Sequence, residues 1–310
     1  MKKFAWPMIA RMLIAAAAAG LALGAEIIPG RETLRLEIEA IARSIDGKLG
    51  VAMMGLETRE TFLFNGNDRF PMQSVYKFPL AMAVLERVDK GRLSLGQAVH
   101  VAPADLLPDT WSPLRDANPK GDFDLALSEL LRVTVSASDN NGCDILFRML
   151  GGPPAVDAYI RGLGVKGMAI AATEEEMHRV RASQFSNWCE PAAMAELLDL
   201  FFQGRTHAVA SRDFLMRLML ETATGPRRIK GLLPPRTAVA HKTGTSFTDE
   251  KGVTAATNDV GIVTLEGGNH VAMVIFLADS SASLEDRENA IARVARAGHD
   301  YFSAAKPAKE

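Results

Sequence analysis

Strand-like segments in this 310-residue chain are confined to its two ends, and that segregation limits the folds open to it. Near the N-terminus, residues 48–57 read as a strand and residues 61–65 as its hairpin partner. Strand character returns only at residues 238–244, 258–265 and 271–278. Between them, residues 74–236 read as almost wholly helical, with stretches at 75–90, 124–133, 139–150, 153–162, 191–203 and 210–221. Two further helices flank the strands. Residues 32–46 place Leu34, Ile38, Ile41, Ala42 and Ile45 on one face, and residues 284–303 close the pattern. Strands at both termini with helices between predict an α/β (α+β) fold. Its antiparallel sheet is built from both termini and flanked by helices, and an inserted all-helical region forms a separate layer. The expected division is residues 26–70 with 237–310 as the α/β part, and residues 71–236 as the helical part. The seam between them is the expected place for a site.

Residues 1–25 read as an export signal. Lys2, Lys3 and Arg11 precede an apolar stretch at 12–23, and small residues Ala22, Gly24 and Ala25 follow. Cleavage is expected near Gly24 or Ala25. The apolar run is short for a spanning helix of about 20 residues. The mature chain is therefore expected to be free of the membrane, soluble in the periplasm and monomeric. A tail from residue 304 onward is expected to fray.

The formal net charge is −2, and no basic block or stacked-aromatic pattern appears, so nothing points to a nucleic-acid partner. The two cysteines, Cys143 and Cys189, are too few for a disulfide scaffold and are expected to be unpaired. Six histidines are scattered, without a metal-ligand spacing. No metal and no cofactor is expected.

Three short motifs carry chemistry. Ser74-Val75-Tyr76-Lys77 heads an apolar helical run, and residues three apart on a helix share a face. A serine there gains from the helix N-terminus, with a lysine near enough to exchange a proton with it. Ser138-Asp139-Asn140 and Lys242-Thr243-Gly244 follow in order. Each motif alone has an ordinary explanation: a helix cap, an N-cap, a strand exit into a turn. Their order and long spacings favour one acyl-transfer site. In it Ser74 is the nucleophile and Lys77 a base. Ser138 relays a proton to a leaving nitrogen, and Asn140 donates to a substrate carbonyl. Lys242 is the second cation. Gly244 lets a ligand approach a strand edge, and the backbone N–H groups of Ser74 and Thr245 form an oxyanion hole.

Over residues 32–303 the chain resembles the class A serine β-lactamases. The nucleophile segment Phe70-Pro71-Met72-Gln73-Ser74-Val75-Tyr76-Lys77 carries the resemblance, together with Ser138-Asp139-Asn140 and Lys242-Thr243-Gly244-Thr245. Thr224-Gly225-Pro226-Arg227-Arg228, Gly231-Leu232-Leu233-Pro234, Asn141-Gly142-Cys143-Asp144 and Ala255-Ala256-Thr257-Asn258-Asp259 look like the subgroup of PER-type and VEB-type extended-spectrum enzymes. The resemblance implies hydrolysis of β-lactams, cephalosporins and penicillins among them, through a serine acyl-enzyme. It implies Glu174 as the acid that activates the deacylating water, in Ala172-Thr173-Glu174-Glu175-Glu176-Met177-His178. Glu175 and Glu176 then read as solvated loop charges. Either Lys77 or Glu174 acts as the acylation base. Arg228 is implied to support recognition of the substrate carboxylate beside Lys242 and Thr243, with Arg227 a surface residue. Trp111 is implied as an aromatic wall at the mouth, and His178 as a holder of the water. Three positions depart from the commoner class A pattern. Ala172 replaces an arginine, Asn187 its aspartate partner, and His178 an asparagine, so the salt bridge that usually closes this loop is absent. The alternatives are a penicillin-binding DD-peptidase, which would lack a competent deacylating acid, and a non-catalytic β-lactam sensor.

Overall fold

The computed structural model describes residues 30–304. The expected export signal at residues 1–25 and residues 305–310 of the expected frayed tail lie outside the described residues, while Ala304 ends the last helix. Five antiparallel strands form the main sheet in the order Thr61–Phe64, Lys48–Gly55, His270–Ser280, Thr254–Thr264, Val239–Thr245. The last strand in sequence is therefore the central one, paired on one side with the first. Val51 faces Ile275 across that junction. Both ends of the chain must be present before this pairing can form.

The strands alternate between two cores, as a period of two requires. Val51, Met53, Met273 and Ile275 pack under the outer helices Arg31–Ser44 and Leu284–Ala304, against Leu34, Ile38, Ile291 and Val294. Ala52, Val274 and Phe276 face the other way, into a core that continues through Phe78, Leu80, Leu146 and Phe201 of the helical layer. A sheet covered on both faces explains why these strands read as nearly unbroken apolar runs. The C-terminal helix starts where Ser283 Oγ accepts from Asp286 N at 3.1 Å and donates to its carboxylate at 2.6 Å, a reciprocal N-cap. Pro191 opens the helix Pro191–Phe202, which lies directly on the sheet, at the first-turn position where its missing N–H costs nothing.

The middle of the chain is less uniformly helical than its pattern suggests. Ala98–Val101 pairs antiparallel with Phe123–Ala126, and Phe70–Pro71, Trp188–Cys189 and Met168–Ala169 form a small three-stranded sheet. The helix expected at residues 124–133 begins at Leu127 and runs to Ser136. The preceding four residues pair with a distant strand instead. Segments of two to four residues are too short for a period to show. Among the described residues no helix is long and apolar enough to cross a membrane.

Candidate active site

Ser74 sits on a 3₁₀ turn, Gln73–Tyr76, and the α-helix begins only at Lys77 and runs to Asp89. The expected single helix is thus two joined pieces. In a 3₁₀ turn residues three apart eclipse, so the serine and lysine still face each other, with Lys77 Nζ 3.0 Å from Ser74 Oγ. Gln73 has φ +49°, a left-handed backbone that a glutamine holds only under constraint. The constraint comes from both flanks. Gln73 Nε2 donates to Gln184 Oε1 at 2.7 Å, while Asn258 Nδ2 donates to the carbonyls of Pro71 at 2.8 Å and Met72 at 3.1 Å. Gly244 lets the strand Val239–Thr245 press against this turn. A Cβ there would stand 2.4 Å from Met72 O.

Lys77 is fully buried among four acceptors. Its ammonium donates to Asn140 Oδ1 at 2.5 Å, Ser138 O at 2.9 Å and Ser74 Oγ at 3.0 Å. Glu174 Oε1 lies 2.9 Å away as an ion pair, off the direction of a hydrogen bond, and finds no hydrogen-bond donor among the described residues. The Ser-Asp-Asn motif divides its labour. Asp139 is the N-cap of the helix Asn140–Leu150, accepting Gly142 N at 2.8 Å, and it also accepts Leu114 N at 2.7 Å and Ser112 Oγ at 3.0 Å. Burial pushes its carboxyl up, and those donors act against the push. With the capping done by Asp139, Ser138 and Asn140 are left to face the cleft. Trp111 is 60% exposed at the mouth, which excludes a core packing role. Its Nε1 donates to Ala137 O at 2.9 Å, pinning the ring beside the motif.

Lys242 closes the circle. Its Nζ donates to Ser138 Oγ at 2.8 Å and Thr243 O at 2.9 Å. Burial, and secondarily the charge of Lys77, hold this ammonium well below the ordinary lysine value. Thr243 Oγ1 lies 2.6 Å from Thr224 Oγ1. Arg228 is buried behind the same strand. It donates to Thr245 Oγ1 at 2.7 Å, Asn258 O at 2.9 Å and Gly244 O at 3.2 Å, with Glu288 as its carboxylate partner at 3.3 Å. Burial lowers the Arg228 pKa, and Asp259 and Glu288 resist that lowering. Arg227 is exposed and pairs with Glu288 at 2.9 Å. Ser74, Trp111, Ser138, Asn140, Glu174, Arg228 and residues 243–245 line one cavity of about 350 Å³.

Glu174 begins a short helix, Glu174–Arg179. Glu176 is more than a solvated charge. Its carboxylate accepts Thr173 N at 2.8 Å while Thr173 Oγ1 accepts Glu176 N at 3.1 Å, a capping box. Asp144, from the helix Asn140–Leu150, accepts the N–H groups of Glu174 and Glu175, each at 2.8 Å. Where the commoner salt bridge is missing, Asn187 closes the loop. Its Oδ1 accepts Ala171 N at 2.7 Å and Ala172 N at 2.9 Å, and its Nδ2 donates to Ala172 O at 2.9 Å. His178 is exposed and lines a second cavity of about 620 Å³, shared with Glu174, Asn140 and Gln73 and bounded by Arg181, Phe185 and Phe247. The expected residues thus converge. Asp144 and Gln184 carry no sequence signal for their roles, because each meets its partner only across a long stretch of chain. Among the described residues no group of three or more His, Cys, Asp or Glu is placed to hold a metal ion.

Comparison with known proteins agrees over nearly the same span. The family model described as the β-lactamase enzyme family matches residues 33–302. The chain is 40% identical over 273 residues to β-lactamase VEB-1 of Pseudomonas aeruginosa, covering 87% of this chain and 91% of that protein. It is 42% identical over 268 residues to the extended-spectrum β-lactamase PER-1 of the same organism, covering 86% and 87%. Among solved structures, a β-lactamase from Chitinophaga pinensis superposes with a TM-score of 0.84 at 52% identity, covering 86% of this chain and 98% of that one. The TLA-3 extended-spectrum β-lactamase superposes with a TM-score of 0.87 at 46% identity, covering 88% and 100%.

Proposed function

The chain belongs to the β-lactamase enzyme family, and from that premise we propose a role for each group in the cleft. The protein is a class A serine β-lactamase that hydrolyses β-lactams through a serine acyl-enzyme. The observation that carries the role assignment is the placing of Lys77 Nζ between Ser74 Oγ at 3.0 Å and Glu174 Oε1 at 2.9 Å.

Ser74 Oγ attacks the β-lactam carbonyl carbon, and the backbone N–H groups of Ser74 and Thr245 receive the developing oxyanion. Lys77 Nζ, 3.0 Å from Ser74 Oγ and 2.9 Å from Glu174 Oε1, bridges the nucleophile to the carboxylate. The serine proton therefore ends on Glu174, through Lys77 or through a water. When the ring C–N bond breaks, Ser138 Oγ protonates the nitrogen and is resupplied by Lys242, whose ammonium is weakened by burial. Asn140 donates to the carbonyl of the acyl side chain. The edge formed by Thr243, Thr245 and Arg228 reads the substrate carboxylate, with Gly244 leaving room for its approach. In the second half Glu174, having returned the serine proton through Lys77 to the Ser138–Lys242 pair, takes a proton from water as the water attacks the ester and hands it to Ser74 Oγ, which leaves as its alcohol. Glu174 Oε1, paired with Lys77 but without a hydrogen-bond donor among the described residues, is the acceptor for that proton. His178 borders the same space and helps hold the water. Trp111 walls the mouth.

Two relatives are named extended-spectrum enzymes, and we extend that reading to this chain. The 620 Å³ cavity beside Glu174 offers room for a bulky acyl side chain, as on many cephalosporins. The DD-peptidase and sensor readings are not favoured, because the matched relatives carry β-lactamase names. We also propose that residues 1–25 are an export leader, that the mature protein works in the periplasm, and that it is a monomer. The test is steady-state hydrolysis of a chromogenic cephalosporin by the purified protein, alongside Ser74→Ala. Turnover by the parent with a transient adduct on Ser74, and neither for the variant, is expected. A covalent adduct on another residue overturns the assignment.

A further inference from the structure

Behind the strand that carries Lys242 lies a buried ionisable pair that the proposed reaction does not use. His241 and Asp259 are both fully buried. His241 Nδ1 lies 2.9 Å and 3.0 Å from the two Asp259 oxygens. A carboxylate can only accept, so Nδ1 carries the proton. Among the described residues Nε2 of the same buried ring has no hydrogen-bond partner, which leaves Asp259 as the ring's one polar contact there. Gly261 makes the packing possible, since a Cβ there would stand 2.3 Å from Ala240 O and 2.7 Å from His241 Cβ.

Asp259 also reaches the turn that carries Arg228. Its Oδ2 accepts Ile229 N at 3.1 Å, from the residue that follows the arginine. Asp259 is the larger of the two negative charges that oppose the effect of burial on Arg228. A buried guanidinium needs such compensation, because taking it out of water without a counter-charge is costly. One carboxylate thus joins three things: the strand through His241, the turn through Ile229, and the charge of Arg228. Remove the imidazole donor and the carboxylate is left buried with one hydrogen bond fewer. The side chain then shifts to find another donor, and that loosens the turn.

We propose that the His241–Asp259 pair is a positioning device for the substrate-carboxylate edge, Asp259 holding the Arg228–Ile229 turn and His241 holding Asp259. The inference rests on the role assigned above to Arg228. It predicts a specific loss: recognition of the carboxylate weakens while the chemistry at Ser74 is spared.

The test compares a cephalosporin with its own carboxylate methyl ester. The readout is the ratio of their kcat/KM values, with active sites counted by titration with an acylating inhibitor. His241→Leu and Asp259→Asn should each lower the acid-to-ester ratio roughly tenfold, through KM, with kcat for the acid within about threefold. His241→Asn, whose Nδ2 takes the place of Nδ1, should recover most of the ratio. If His241→Leu does not fold, Asp259→Asn, which keeps the volume, carries the same prediction. An unchanged ratio, or equal losses for acid and ester, makes the pair a packing feature and overturns the proposal. Arg228→Ala separates the two levels. If it too leaves the ratio unchanged, the reading of the carboxylate edge fails. If it collapses the ratio and the other variants do not, only the positioning role fails.

Discussion

Asn187 and Ala172 exchange a reciprocal pair of hydrogen bonds across the base of the loop that carries Glu174, each 2.9 Å long. A third bond, from Ala171 N at 2.7 Å, uses the second lone pair of the same oxygen. Asn187 is fully buried, so these bonds are made away from bulk water. A neutral amide holds this loop without the desolvation cost of a buried ion pair.

Asn187→Ala should therefore cost about 2–4 kcal/mol of stability, from buried backbone groups left without partners. Loosening the base should also misplace Glu174 and slow deacylation more than acylation. Urea denaturation and pre-steady-state kinetics check the two parts. A stability within about 0.5 kcal/mol of the parent would show that the backbone groups find other partners.

Glu174→Ala should be acylated by a cephalosporin and then stall. Water is a poor nucleophile, and a placed carboxylate contributes about 10²–10⁴-fold as general base. A burst of about one equivalent, with the adduct visible by mass spectrometry, is the expected signature. Glu175→Ala is the clean control, with near-normal turnover. Glu176→Ala is not a neutral control, because its carboxylate belongs to the cap of the same short helix. Normal turnover by Glu174→Ala would move the deacylating base elsewhere.

Asp144 should leave a mark on the pH dependence of stability. Burial, and secondarily the charge of Glu174, push its carboxyl from the ordinary 3.8 up to about 7, against the bonds from the N–H groups of Glu174 and Glu175. A folded-state value above the unfolded one means that the folded protein keeps a proton the unfolded chain has lost. Stability from this group is therefore full at low pH and falls as pH rises from about 4 to about 7. Asp144→Asn removes that titration. Its unfolding free energy relative to the parent should rise across that window and level off above it. A difference independent of pH would show that Asp144 does not titrate there.

Cys143 and Cys189 are free and fully buried, and burial pushes both thiols well above the ordinary cysteine value. Native protein should react slowly with a thiol reagent, and denatured, unreduced protein should yield both groups. Reducing agent should leave turnover unchanged. A count of zero after denaturation would reveal a disulfide.

What was legible in the chain is what a local period can encode. Short apolar strand-like runs at the two ends, with helical periods between them, predicted the sheet. Ser74 and Lys77 were readable as a pair because three residues bring them round to one side. The capping sense of Ser138-Asp139-Asn140 was local too, and it holds for Asp139. The rest waited on the fold. Lys242 reaches Ser138 across 104 positions, and Asp144 reaches Glu174 across 30. No period links such positions, since their meeting depends on where the sheet and the helical layer close on each other. The short strands were invisible for the same reason: each exists only through a distant partner. Burial decided the electrostatics last. In water Lys242 would be an ordinary ammonium group, and only the closed seam buries it next to Lys77 with no solvent to screen the two.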